Sequence, residues 1–295
     1  FSFKNWDDTK NYDYRLVYTE KFSDNSTKEN YFAGTIQRDP VDKPLEMGAM
    51  TCQFHYGFPY RPLTKQLADK NPDILFFSGD QIYEPNGGYG IIRFPADRAI
   101  LSYLGKWYMF GWAFGDLMKD RPTICLADDH EVFQGNLWGN GGKKVSQENW
   151  QKSMDATSGF VEPVEMVNVV IRTNTSHQPE AFNPTPIKQG MEVYYTDIVY
   201  GRISFALVTD RTFKSGPEEV VEATKGMYWN GRKDMLYEDY PASSEEKEKS
   251  LKLLGERQIE FLNHWMRDWE GADMKVLLSQ TIFANNVTHY GPKKV

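Results

Sequence analysis

An α/β fold follows from three observations. From residue 47 onward, apolar runs of strand length alternate with stretches of helical period, the pattern of a largely parallel sheet covered by helices. Two of those runs, DILFFSGDQIYE at 73–84 and PTICLADDHEV at 122–132, stop abruptly in acidic and hydrogen-bonding residues. Strands of an open sheet end this way where they deliver ligands at their carboxyl ends. Residues before 38 instead show the two-residue alternation of antiparallel strands.

The elements follow in order. YDYRLVYTE puts Tyr14, Leu16 and Tyr18 on one face, the polar DNSTKEN follows, and NYFAGTI returns: a hairpin with a long turn. Two strands alone are not a domain; on the residues alone they read as extra edge strands of the main sheet. RDPVDKPLE, residues 38–46, is the Pro-containing connection and marks the boundary. AMTCQF is a strand, PLTKQLADK a short helix stopped before Pro72, DILFF a strand, the stretch from Pro95 to Met118 a long aromatic helix, and PTICLA a strand. The stripe of Tyr103, Trp107 and Trp112 reads as core packing rather than as a substrate platform.

Beyond the second acidic motif the chain is less regular, and residues 173–190, with three prolines, read as a long loop in which His177 is a surface residue. EVYYTDIVYGRISFALVTD is a hairpin turning at Tyr200-Gly201, its second strand ending at Asp210. Phe261, Leu262, Trp265, Met266 and Trp269 recur at helical spacing, and DMKVLLSQT reads as a buried strand. Ser243 and Glu246 fit a capping box that opens the polar helix preceding the Phe261 helix.

At 295 residues with 40% hydrophobic and 15% aromatic content, the chain can bury a large core. A net charge of -7 argues against a broad nucleic-acid-binding surface. No apolar run reaches the roughly 20 residues of a membrane helix. The chain begins with Phe1 and lacks a signal-peptide pattern, so it reads as a processed or excised piece, and targeting is not legible. Oligomeric state is not legible either.

Asp80, Tyr83, Asp129 and His130 are oxygen and imidazole donors, a mixture that suits hard or borderline metal ions rather than a thiolate zinc site. Alone, Gly79-Asp80 reads as a turn and Asp128-Asp129 as a helix cap; together at two strand ends they point to a metal-dependent hydrolase. Two cysteines are too few for a disulfide framework. For Cys52 a buried thiol, a bridge to Cys125 and a ligand role all stand open. Asp210 and Arg211, at another strand end, read equally as a structural ion pair or as groups shaping the site.

GDQIYE and DDHE, with Cys52 in MTCQF, resemble the motifs of the PhoD-type alkaline phosphatases, a branch of the calcineurin-like metallophosphoesterases. NGGYG, NLWGNGG, DRTFKSGP, LGERQIEFLNHW and VLLSQT extend the resemblance over roughly residues 45–290. It implies a metallophosphoesterase-like layered sheet with flanking helices as residues 44–295, preceded in 1–43 by remnant strands of a β-sandwich domain. It implies a phosphate ester as substrate and an extracytoplasmic or secreted location. It also implies two or more metal ions, an iron with calcium, other divalent ions being compatible.

In that scheme Cys52 and Tyr83 hold the harder, more oxidised ion, Asp80 bridges, and Asp129 holds the second ion in place of the Asn of the wider superfamily. Adjacent ions lower the pKa of a bridging water and offset phosphoryl charge. Asp80 and His130 are the expected catalytic residues, His130 contacting the phosphate or protonating the leaving alkoxide. Glu131 is expected to orient His130, and Asn136, Asp210 and Arg211 to stand behind the ligands or meet substrate. A contrasting reading keeps the fold but makes the chain a weak or inactive surface protein that binds phosphorylated or polysaccharide ligands. The resemblance also implies a closing His motif after VLLSQT. His289 is the only His there and lacks an acidic neighbour, so a further C-terminal segment is expected.

Overall fold

The computed structural model describes residues 3–88, 90–152, 157–216, 251–281, 289–290 and 293–294. β1 (Tyr12–Lys21) and β2 (Thr27–Ile36) form the expected antiparallel hairpin, Tyr12 opposite Ile36. Among the described residues they pair only with each other, so they are not edge strands of another sheet. Of the expected stripe only Tyr14 is partly covered; Leu16 and Tyr18 are exposed. The hairpin docks through polar contacts: the Tyr14 hydroxyl donates to the Lys119 carbonyl at 3.0 Å, and the Thr35 amide to Asp120 at 3.0 Å.

β3 (Met47–Met50), α1 (Arg61–Lys70), β4 (Ile74–Phe77), α2 (Ala96–Met118) and β5 (Thr123–Cys125) give the β-α-β-α-β run. β4 lies centrally and parallel to both neighbours, Met47 beside Ile74 and Leu75 beside Thr123. Every residue of β4 is buried. Strand alternation sends Leu75 and Phe77 into one cluster with Tyr103, Phe110 and Phe114 of α2, while Ile74 and Phe76 enter a second with Phe205, Leu207 and Leu278. The aromatic stripe of α2 is core at Tyr103 and Trp107, but Trp112 is exposed, because five residues past Trp107 carries it round the helix.

After α3 (Gln147–Lys152) comes α4 (Val164–Thr175), a helix in a stretch expected to be irregular. It starts behind Pro163 and buries Met166, Val167, Val170 and Asn174 at helical spacing, so the loop expected at 173–190 begins only after Thr175. β6 (Thr196–Tyr200) and β7 (Ile203–Leu207) pair antiparallel across a two-residue turn in which Gly201 (φ 60°) and Arg202 (φ 63°) are both left-handed. α5 (Asp210–Phe213) and α6 (Gly255–Trp265) follow, then β8 (Met274–Leu278), parallel to β7.

Ala206 and Val208 pack on Phe261 and Trp265 of α6, so β7 separates the second cluster from a third. Two expectations fail here. β8 buries only Leu278, since it lies at one side of its sheet among the described residues, and Met266 and Trp269 fall past the end of α6 and are exposed. Short strands β9 (His289–Tyr290) and β10 (Lys293–Lys294) pair with each other. The capping pair expected at Ser243 and Glu246 lies outside the described residues. No helix among the described residues is long and apolar enough to cross a membrane.

Candidate metal centre

The three parallel strands end side by side, and their loops converge. β3 stops at Met50, two residues before Cys52, so Cys52 belongs to the loop rather than to the strand end. The Cys52 amide donates to the Gly79 carbonyl at 3.2 Å and the Gln53 amide to the Asp80 carbonyl at 3.1 Å. Gly79 has φ +121°, and a Cβ there would stand 2.3 Å from Cβ of Asp128. Only glycine lets the two acidic loops touch. Cys52 (φ 55°) and Asp80 (φ 56°) are both left-handed, an uncommon backbone for such residues that tends to cluster at functional sites.

The side chains gather on Asp80. Its Oδ2 accepts from the Tyr83 hydroxyl at 3.1 Å and from Cys52 Sγ at 3.4 Å, and its Oδ1 faces the His130 amide at 3.4 Å. Asp80, Asp129 and His130 each offer a ligand atom, and these atoms lie within 4.8 Å of one another. His130 Nδ1 lies 2.8 Å from Glu84 Oε2, and its ring rests 4.2 Å from that of Tyr83. Arg211 reaches in from α5, with Nε donating to Asp128 at 2.6 Å and a terminal nitrogen 3.4 Å from Asp129.

Glu131 is fully buried below this cluster. Its carboxylate accepts from the amides of Asp80 (3.1 Å), Gln81 (2.6 Å), Ile82 (3.3 Å) and Asp128 (2.7 Å). The expectation that Glu131 orients His130 is therefore corrected: it ties the two acidic loops together, and Glu84 holds the imidazole. Behind Gln81, Asn174 of α4 accepts from its side-chain amide at 3.0 Å.

The electrostatics call for a cation. Burial, and then the Asp129 carboxylate, push Asp80 up to about 6. Burial also raises Asp128 and Glu131, despite Arg211 beside the one and backbone amides around the other. For His130 burial pulls downward, but Glu84 and the other carboxylates outweigh it and lift the group to about 9. Burial and Asp80 keep the Tyr83 phenol protonated. Carboxylates crowded out of water without enough positive charge, beside a thiol, a phenol and an imidazole, are the donor set a metal ion compensates. The residues fit such a group.

The structure thus brings together Cys52, Asp80, Tyr83, Asp129, His130, Glu131 and Arg211. Asp210 is buried but turns away, accepting from Ser279 at 3.0 Å and from Thr281; it fastens the end of β8. Asn136 sits half-buried at φ 52° in the loop after the second motif. Both cysteines are free thiols, which removes the Cys52–Cys125 bridge, and Cys125 is buried. The side chain of His289 is outside the described residues. His177 is exposed as expected, its Nε2 2.9 Å from the Thr123 carbonyl.

Sequence reasoning missed Glu84 and Asp128. Each adjoins a recognised residue, and the signal available was a second carboxylate directly beside a candidate ligand.

The family model described as PhoD-like phosphatase matches residues 47–294. No curated protein and no solved structure matches.

Proposed function

The chain belongs to the PhoD-like phosphatase family, and from that premise we propose that it hydrolyses phosphate esters at a metal centre held by Cys52, Asp80, Tyr83 and Asp129. The observation that carries this reading is the meeting of Asp80, Asp129 and His130 within 4.8 Å at adjoining strand ends. The two three-stranded sheets, packed through the second cluster and flanked by α2 and α6, are read as the layered metallophosphoesterase core, and residues 1–43 as strands of a preceding β-sandwich.

An iron and calcium ions, or other divalent ions, would activate water and neutralise charge on the phosphoryl oxygens. Cys52 and Tyr83 both reach Oδ2 of Asp80, and Asp129 brings a ligand atom within 4.8 Å of that carboxylate, so Asp80 would serve more than one ion. Arg211 fixes Asp128 and steadies Asp129. Glu84 takes the Nδ1 side of His130, leaving Nε2 to meet a phosphoryl oxygen or pass a proton to the leaving alkoxide.

The test pairs metal analysis with hydrolysis of matched aryl monoester and diester substrates. Asp80→Asn removes a carboxylate charge that would hold the ions and should lower both bound metal and turnover, the latter by more than about 100-fold. A variant that keeps its metal and stays within about tenfold of wild type sinks the proposal, and the two substrates separate monoesterase from diesterase activity.

A further inference from the structure

The loop after Cys52 carries Phe54, His55 and Tyr56 in succession. Their rings touch, with centroids 4.4 Å apart for Phe54 and His55, 4.2 Å for His55 and Tyr56, and 5.1 Å for Phe54 and Tyr56. Phe54 then meets Tyr83 edge-on at 5.0 Å, and Tyr83 lies 4.2 Å from His130. Ring contact therefore runs unbroken from the acidic cluster outward to Tyr56.

This ladder is not core. Phe54 is 48% and Tyr56 84% exposed, and neither belongs to the buried clusters. Two large rings left in water beside a reaction centre, on a loop already held by Cys52 and Gln53, offer stacking faces to whatever projects from that centre. The residues between Cys52 and Arg61 include no Lys, Arg, Asp or Glu. A charged polymer, whose backbone needs cations along its track, has no partner there, whereas a neutral planar ring does.

We infer that Phe54 and Tyr56 form a stacking subsite for an aromatic leaving group of the phosphate ester. This rests on the proposed esterase activity and names the substrate class of that same site. The ring comes either joined directly to the ester oxygen, as in an aryl phosphate, or carried beyond a sugar, as in a nucleoside monophosphate. Phe54, in contact with Tyr83, is placed for the first. Tyr56, one ring further out, is placed for the second.

The metal-loaded full chain is assayed with phenyl phosphate, adenosine 5′-monophosphate and methyl phosphate in wild type, Phe54→Leu, Tyr56→Ala and Tyr108→Ala, an exposed aromatic on α2. Because phenol is the better leaving group, each variant is scored by its kcat/KM on the aromatic ester divided by that on methyl phosphate. That ratio should fall at least about fivefold, through KM, with Phe54→Leu on phenyl phosphate or Tyr56→Ala on the nucleotide, while Tyr108→Ala keeps the wild-type ratio.

Calorimetric titration with phenylphosphonate and methylphosphonate reads the same preference without turnover: wild type favours the phenyl compound and Phe54→Leu loses that preference. Unchanged ratios and unchanged phosphonate preference in both ladder variants overturn the subsite, as does an equal fall with Tyr108→Ala. A wild type that turns over none of the esters overturns the esterase reading instead, and the titration still decides the subsite.

Discussion

Glu84 follows Tyr83 directly, yet its carboxylate serves a different partner: it stands 2.8 Å from Nδ1 of His130 and holds that edge of the ring. A carboxylate holding an imidazole in one tautomer and orientation is worth about 10–100-fold in metal affinity or activity. Glu84→Gln keeps the shape but gives the imidazole a neutral partner that also donates. Turnover at saturating metal should drop by that factor, measured as kcat on an aryl monoester; an unchanged kcat would mean that His130 is positioned by its neighbours alone. Tyr83 and His130 were legible in the sequence because residues of their chemistry at strand ends stand out. The Glu84–His130 pairing was not, because it depends on how two loops 46 residues apart in sequence are pressed together.

At the scale of elements, the contact that decides the centre is Gly79 against Asp128. With φ +121° and a Cβ position 2.3 Å from a side-chain carbon, Gly79→Ala meets both a backbone penalty and a steric one. It should destabilise the fold by roughly 1–3 kcal/mol or more, read from urea unfolding, and weaken metal binding by separating Asp80 from Asp129. Equal stability would show that the loops slide apart freely. β4 illustrates what periodicity can tell: a short unbroken apolar run announced a strand buried on both faces, and it is one. α4 illustrates the reverse. Its Val, Ile and Met residues alternate with Asn and Thr, weak helix formers, and the helix exists because Met166, Val167 and Val170 pack against the α2 side of the core.

For the whole molecule, the buried acids set a pH dependence of known sign. In chelator-stripped protein Asp80 titrates at about 6 instead of 3.8, and His130 at about 9 instead of 6.5. Both folded-state values are raised, so at these two groups the folded chain binds more protons than the unfolded one. Stability from Asp80 is present below its unfolded value and is lost as pH rises through about 6; that from His130 is lost between about 6.5 and 9. Asp128 and Glu131, also raised, act in the same direction. The urea midpoint of stripped protein should therefore be higher at pH ~5 than at pH ~8, and saturating metal should raise the pH ~8 value most, since it binds the ionised site. A midpoint that climbs with pH in the stripped protein would contradict the account. The sequence made the acids visible but not their sign of effect, which comes from burial beside one another.

Glu131 also bears on motion. A single carboxylate accepts the amides of Asp80, Gln81, Ile82 and Asp128, so opening either acidic loop strips a buried charge of hydrogen bonds on which the other loop also relies. These four protons should exchange with deuterium as one cooperative unit, with a common opening free energy. Glu131→Gln, which turns one acceptor oxygen into a donor, should release them together rather than one at a time.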